Sequence, residues 1–159
     1  MIFVAVGTQK FQFNRLLKAV DDLVEQGCLE GEVFAQIGHS DYVPRKYAYK
    51  DFISKDDFQA CIHRCDLLIT HSGVATIMAG LKQGKPVVVV PRLAKFGEHV
   101  DDHQFQIAES FSTKNLLLMC KEQDNLADIV QEAKNHIFAE YVSQREKMIG
   151  TIREYLEKI

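Results

Sequence analysis

Residues 66–91, DLLITHSGVATIMAGLKQGKPVVVVP, decide the fold. Asp66 to Thr70 is a short apolar run that suits a buried strand, and His71-Ser72-Gly73 after it has the small and polar residues of a turn. Val74 to Gln83 has helical composition, Gly84-Lys85-Pro86 stops it, and Val87 to Val90 is a second strand closed by Pro91. Strand, helix and strand in such close succession predict a parallel sheet, because right-handed crossovers return each helix to a face of the sheet.

The same alternation extends outward. Ile2 to Val6 is a β-branched run that ends at Gly7-Thr8, and Leu16, Leu17, Val20, Leu23 and Val24 then recur at helical spacing up to Gly27. Glu32 to Gly38 predicts a second strand, Tyr47 to Ile53 a weaker third and Asp56 to Arg64 a short helix. Beyond Pro91 a loop runs to Val100. A helix from Asp101 to Phe111, a strand at Asn115 to Met119 and a helix from Asp124 to Ile137 follow. Phe138, Tyr141, Val142, Met148, Ile149, Ile152, Tyr155, Leu156 and Ile159 form a stripe that predicts a last helix over 138–159.

The pattern is that of one doubly wound α/β domain over residues 1–159, Rossmann-like, with no linker or internal repeat. Ligands of such sheets bind outside the carboxyl ends of the strands. Those ends are Gly7-Thr8, Gly38-His39, His71-Ser72-Gly73 and Pro91-Arg92.

Composition narrows the function classes. With 47% hydrophobic and 26% charged residues the chain has the make-up of a globular domain that holds its core without disulfide or metal. A net charge of −3 with scattered Lys and Arg argues against a nucleic-acid surface. The apolar runs are strand-length, too short for a signal sequence or a membrane span, so a cytoplasmic location is expected. Cys28, Cys61, Cys65 and Cys120 read as reduced thiols, and Cys61-Ile62-His63-Arg64-Cys65 as core thiols at helical spacing and not as a metal site. Nicotinamide, P-loop and GxSxG hydrolase fingerprints are missing from the sequence.

Two segments carry the chemistry. Thr70 to Thr76 sits where a strand hands over to a helix. Its small residues let backbone N–H groups approach a ligand, and the helix amino terminus favours phosphate, so a diphosphate fits. A helix capped by Ser72 or Thr70 is the structural alternative. Pro91 to Gln104 places His99, His103, Glu98, Asp101, Asp102 and Gln104 on a loop after a buried strand, where the alternative is a solvated loop with Asp101 or Asp102 as cap.

THSGVATIMAGLKQGKPVVVVPR (70–92) followed by GEHVDDHQFQIAESF (97–111) resembles the carboxyl-terminal domain of glycosyltransferase family 28. It resembles in particular the small soluble subunit of split, two-component glycosyltransferases. These include exopolysaccharide and capsule enzymes and the catalytic subunit of the lipid-linked oligosaccharide N-acetylglucosaminyltransferase. VAVGTQKFQFNRLLKAV (4–20) matches the family's amino-terminal strand, turn and helix.

The resemblance implies the donor-binding half of a GT-B enzyme that takes a UDP-sugar, works by inversion and needs no metal or separate cofactor. It assigns His71, Ser72, Gly73, Val74, Ala75 and Thr76 to the diphosphate turn, Asp102, His103 and Gln104 to the donor sugar and ribose, and Gly7 and Thr8 to the cleft. Arg92 or Lys95 would assist the departing diphosphate, and His71, Glu98, His99 and His103 are candidate bases. Ala79 stands where many relatives carry a ribose-binding glutamate, for which Glu98 is a substitute. The missing half implies a membrane-anchored, acceptor-binding subunit that recruits the chain to the inner face of the membrane and to a lipid-linked saccharide. The wording of 97–104 favours the exopolysaccharide branch and a hexose donor. A non-catalytic nucleotide-sugar-binding subunit, or an enzyme for another phosphate ligand, are the competing readings.

Overall fold

The computed structural model describes residues 1–142. Within them β1 (Ile2–Ala5), β2 (Val33–Gln36), β3 (Ala48–Lys50), β4 (Leu67–Thr70), β5 (Val87–Val89) and β6 (Leu118–Met119) form one sheet in the order β3-β2-β1-β4-β5-β6. Every pairing is parallel, as the strand–helix alternation predicts. The crossovers carry α1 (Asn14–Glu25), α2 (Lys55–Arg64), α3 (Val74–Lys82) and α4 (His103–Thr113), with a 3-10 turn at Ala94–Phe96, and α5 (Leu126–Asn135) follows β6.

Successive strand residues face opposite sides, which is why continuous apolar runs were needed. Ile2, Val4, Ile69 and Val88 build one core with Leu16, Leu17, Val20 and Leu23 of α1 and Val130 of α5. Phe3, Ala5, Leu68, Val87 and Val89 build the other with Ile62 of α2, Ile77 and Leu81 of α3 and Ala108 of α4. At β1 the chain order reverses, with β2 on one side and β4 on the other. The carboxyl ends of β1 and β4 are therefore the switch point, and their turns hold Gly7 and His71.

The stripe expected to form a helix from Phe138 does not do so at 138–142; the rest of it, 143–159, lies outside the described residues. Phe138 packs on the first core and Tyr141 on the second, so the chain passes from one side of the sheet to the other between them. Residues three apart on a helix share a face and cannot do this. Asn115 holds the crossing open: its carbonyl accepts from Ala139 N (2.8 Å) and its amide donates to the Ile137 carbonyl (3.0 Å).

Candidate functional site

The turn after β1 is shaped by Gly7, whose φ of +82° is a left-handed conformation. A Cβ built there would stand 2.5 Å from His71 Nε2, and one on Gly73 would stand at the same 2.5 Å. The imidazole of His71 is thus held between two glycines that have no side chain to displace it. Only 4% of His71 is exposed. Burial, with the nearby Arg92 charge adding to it, pushes its pKa from 6.5 down to about 3, so the ring is neutral at physiological pH.

Directly after His71, α3 begins with an open amino terminus. Gly73 is its N-cap, no side chain caps the first turn and no acidic residue lies in it. The expected alternative of a cap from Thr70 or Ser72 is not adopted. Thr70 Oγ1 donates instead to the Ala5 carbonyl at 2.6 Å, tying β4 to β1. Ser72 is 1% exposed, and its Oγ is a buried polar atom without a protein partner. Val74, by contrast, is 48% exposed. Free backbone N–H groups and the positive end of the helix dipole meet at this terminus, which is the arrangement that binds an anion, and the unpaired Ser72 hydroxyl lies in the residue before it.

Gln104, at the start of α4, organises the floor of this spot. Its Oε1 accepts from Ser72 N (3.3 Å) and Arg92 N (3.2 Å), and its Nε2 lies 3.2 Å from His71 Nδ1. The residue is buried, so the contact with the donor sugar that the resemblance implies is not what its side chain makes here.

Arg92 also differs from expectation. It is fully buried, donating Nη1 to the carbonyls of Phe11 (3.0 Å), Gln12 (3.2 Å) and Glu98 (3.2 Å) and Nη2 to Val6, with Phe13 packed 5.0 Å from its guanidinium carbon. It pins the Gly7 loop from beneath, its Nη1 and Nη2 committed to those backbone carbonyls. Burial lowers its pKa to about 10, with Glu98 opposing, so it stays cationic.

Glu98, expected as base or ribose ligand, is engaged on all sides. Arg15 Nε and Nη2 grip its two oxygens at 3.0 and 2.9 Å, and Leu93 N donates to it at 3.0 Å. The pair is nearly closed to solvent on the Glu98 side, at 1% exposure, and partly open at Arg15, at 30%. A carboxylate with this many donors is spent.

The rest of the loop is open. His99 is half-buried against Phe11 (centroids 5.4 Å apart), with Nδ1 3.3 Å from Asp101 Oδ1. Asp102 is the N-cap of α4, yet its carboxylate accepts from Ala94 N (2.9 Å), while Asp101 Oδ1 accepts from His103 N (2.9 Å). His103 is exposed. Lys95 pairs with Glu122 on the surface, and Ala79 packs half-buried on the second core. The turns thus bring together Gly7, Thr8, His71, Ser72, Gly73 and Thr76; Arg92, Glu98 and Gln104 support them from below.

Sequence reasoning missed four residues here, Gln36, Ile53, Lys55 and Arg15. A cleft of about 250 Å³ beside Gly7 and Thr8 is lined by Gln36, Ile53, Lys55 and Thr76 as well. Gln36 Nε2 donates to the carbonyls of Gly7 and Asp51, both at 3.2 Å, and steadies the turn. Arg15 holds Glu98. A glutamine ending the apolar run VFAQ was the one readable signal; the Arg15–Glu98 pairing spans 83 positions and leaves none.

Among the described residues no group of three or more His, Cys, Asp or Glu is placed to hold a metal ion. No helix there is long and apolar enough to cross a membrane.

A single Rossmann-like parallel sheet with an anion-ready helix terminus at its switch point is the architecture of doubly wound nucleotide-binding domains. Residues 1–157 match the glycosyltransferase family 28 C-terminal domain, and the chain belongs to that family. It is similar to the UDP-N-acetylglucosamine transferase subunit ALG13 of Homo sapiens, 29% identical over 126 residues, which are 75% of this chain and 11% of that protein. The Mus musculus counterpart is 26% identical over 130 residues, 74% of this chain and 10% of that one. The chain thus spans about a tenth of the length of these mammalian relatives. Among solved structures, the solution structure of ALG13 superposes with a TM-score of 0.61 at 17% identity, over 95% of this chain and 93% of that one. MurG of Acinetobacter baumannii gives 0.54 at 19% identity, over 83% and 40%.

Proposed function

We propose that this chain is the donor-binding, catalytic subunit of a two-component glycosyltransferase. It moves a hexose or N-acetylhexosamine from a UDP-sugar to a lipid-linked saccharide, with inversion. The observation that carries this reading is the uncapped, acid-free amino terminus of α3, set beside the Gly7 turn across the His71 ring, with Ser72 Oγ buried and unpartnered in the residue before its N-cap. A diphosphate placed there accepts from the α3 N–H groups and from Ser72, and its charge is stabilised as it departs. The nucleoside end lies in the cleft lined by Ile53 and Lys55, which supplies a cation on the opposite wall.

The similarity to proteins named as UDP-N-acetylglucosamine transferase subunits supports both the UDP-sugar and the need for a partner. The partner is membrane-anchored and binds the acceptor, which draws this chain to the cytoplasmic face. Assembly of a bacterial exopolysaccharide or capsule is part of the proposal and rests on the wording of residues 97–104. Donor and acceptor are the only small molecules it uses; no metal or separate cofactor takes part.

Transfer by inversion requires a base for the acceptor hydroxyl. His71 is turned away from that task by its Nδ1 contact and Glu98 by its ion pair. His99, whose Nδ1 lies 3.3 Å from Asp101 Oδ1 and 3.5 Å from the Asp101 backbone N–H, is the base this chain offers when its Nδ1 proton is held by that carboxylate, with Asp102 and His103 beside the donor sugar. A non-catalytic, nucleotide-sugar-binding role is the second reading, favoured by Ala79 and by the unavailability of Glu98 for the ribose. Co-expression with the membrane subunit and assay with labelled UDP-glucose, UDP-galactose and UDP-N-acetylglucosamine separates the two. Transfer of one sugar to lipid, lost in His99→Ala, supports the catalytic role; UDP binding without transfer of any of the three supports the other.

A further inference from the structure

Two backbone N–H groups, from Ser72 and Arg92, converge on the same amide atom of Gln104 at 3.3 and 3.2 Å. Both are donors, so that atom is the oxygen, and the orientation of the amide follows from its neighbours. The group left facing His71 Nδ1 at 3.2 Å is then the NH2, a donor. Nδ1 must accept, and a neutral imidazole that accepts at Nδ1 carries its proton at Nε2.

Nε2 and Cε1 form the ring edge that lies against Gly7 and Gly73, and Nε2 is the polar atom of that edge. It has no partner among the described residues. We propose that Gln104 is a positioning residue that holds His71 as the neutral tautomer protonated at Nε2, with this N–H turned to the gap between Gly7 and Gly73 as a fixed donor to an anionic oxygen. Protonating Nδ1 would set N–H against N–H across 3.2 Å, so the amide opposes the imidazolium. The contact would favour the imidazolium only if the amide presented its oxygen, which is already taken. Burial and the nearby Arg92 charge work in the same sense. That the anionic oxygen belongs to a sugar nucleotide's diphosphate rests on the reading above; the tautomer does not.

Long-range proton–nitrogen NMR of the 15N-labelled full chain reads the tautomer, with His71 assigned by its loss in His71→Asn. The wild type is expected to show a proton on Nε2, a bare Nδ1 and no titration from neutral pH down to about pH 5. Gln104→Glu keeps one oxygen for Ser72 and Arg92 and turns the second to Nδ1. The proton should move to Nδ1, or the ring should titrate higher by more than about one pH unit. A residue that merely fills space would leave the signals where they were, so an unchanged Gln104→Glu spectrum overturns the proposal. A wild-type His71 protonated at Nδ1 also overturns it, whether or not the variant folds. Adding UDP to the wild type is expected to shift the Nε2–H resonance. The stated tautomer with no UDP shift keeps the role of Gln104 and overturns the donor-site reading.

Discussion

Ser72 is the residue whose two roles pull in opposite directions. Its Oγ is buried without a partner, a state that costs about 1 to 3 kcal/mol. Ser72→Ala should therefore raise the stability of the free chain by about 1 kcal/mol in urea unfolding and weaken UDP about tenfold, since a hydrogen bond to a charged acceptor is lost. A variant that is destabilised while keeping full affinity would deny the hydroxyl its role. Gly7 makes a sharper structural test. Gly7→Ala meets both a left-handed backbone and a Cβ 2.5 Å from His71 Nε2, whereas Gly27, at φ +72°, has open space where a methyl would go, with nothing within 4 Å. Gly27→Ala should cost about 1 kcal/mol, the backbone term alone, and Gly7→Ala about 2 to 5. Equal costs would mean that the His71 ring does not sit where it is described.

His71 also sets a pH dependence at this scale. Its folded pKa, about 3, lies below the ordinary 6.5, so the unfolded chain binds the proton more readily. The stabilising difference is present above about pH 6.5 and is lost progressively as pH falls toward 3, at up to about 1.4 kcal/mol per pH unit. Unfolding midpoints compared at neutral pH and about pH 5 should differ by about 2 kcal/mol in the wild type, and that difference should shrink in His71→Asn. Stability equal at the two pH values would contradict a buried neutral imidazole.

At the scale of elements, the site is a junction of two loops. The segment after β1 and the segment after β5 are joined by Arg92 from below and by the Arg15–Glu98 pair from the side. Glu98→Gln leaves a partly buried Arg15 without its counter-charge. With Arg15 30% exposed, the loss should stay at the low end for broken buried pairs, about 2 to 3 kcal/mol. UDP affinity in the folded fraction should change little, because Glu98 does not face the ligand; a large loss of affinity with unchanged stability would restore it to the ribose.

The central elements were legible because β1, β4 and β5 are buried on both faces and announce themselves as uninterrupted apolar runs, and the helices by their spacing, whereas the edge strand β3 is exposed throughout and gave only a weak signal. Gly7, His71 to Thr76 and the 91–104 loop were likewise readable as strand ends of a doubly wound sheet. What spacing does not reveal is which polar residue faces inward. Arg92, Glu98 and Gln104 read as ligands because they are polar and lie in the right loop, yet their partners stand on other elements, Arg92 and Gln104 bonding to Phe11 and Ser72 across 81 and 32 positions. The stripe beginning at Phe138 fitted a helix equally well as a sequence. At 138–142 Asn115 and the demand that Phe138 and Tyr141 reach opposite cores decided otherwise, and both are tertiary facts.

For the whole molecule, the proposed function makes this one sheet one wall of a reaction cleft. The α3 terminus, the Gly7 turn and the Gln104 support all come from this chain's own strands and helices. Donor binding should therefore be a property of the isolated chain, and transfer a property of the complex. Calorimetric titration of the purified chain with UDP, beside Ser72→Ala, tests this most directly. Saturable binding at one site, weakened about tenfold in Ser72→Ala, is the predicted result. An isolated, folded chain that takes up no UDP would contradict a preformed donor site at the amino terminus of α3.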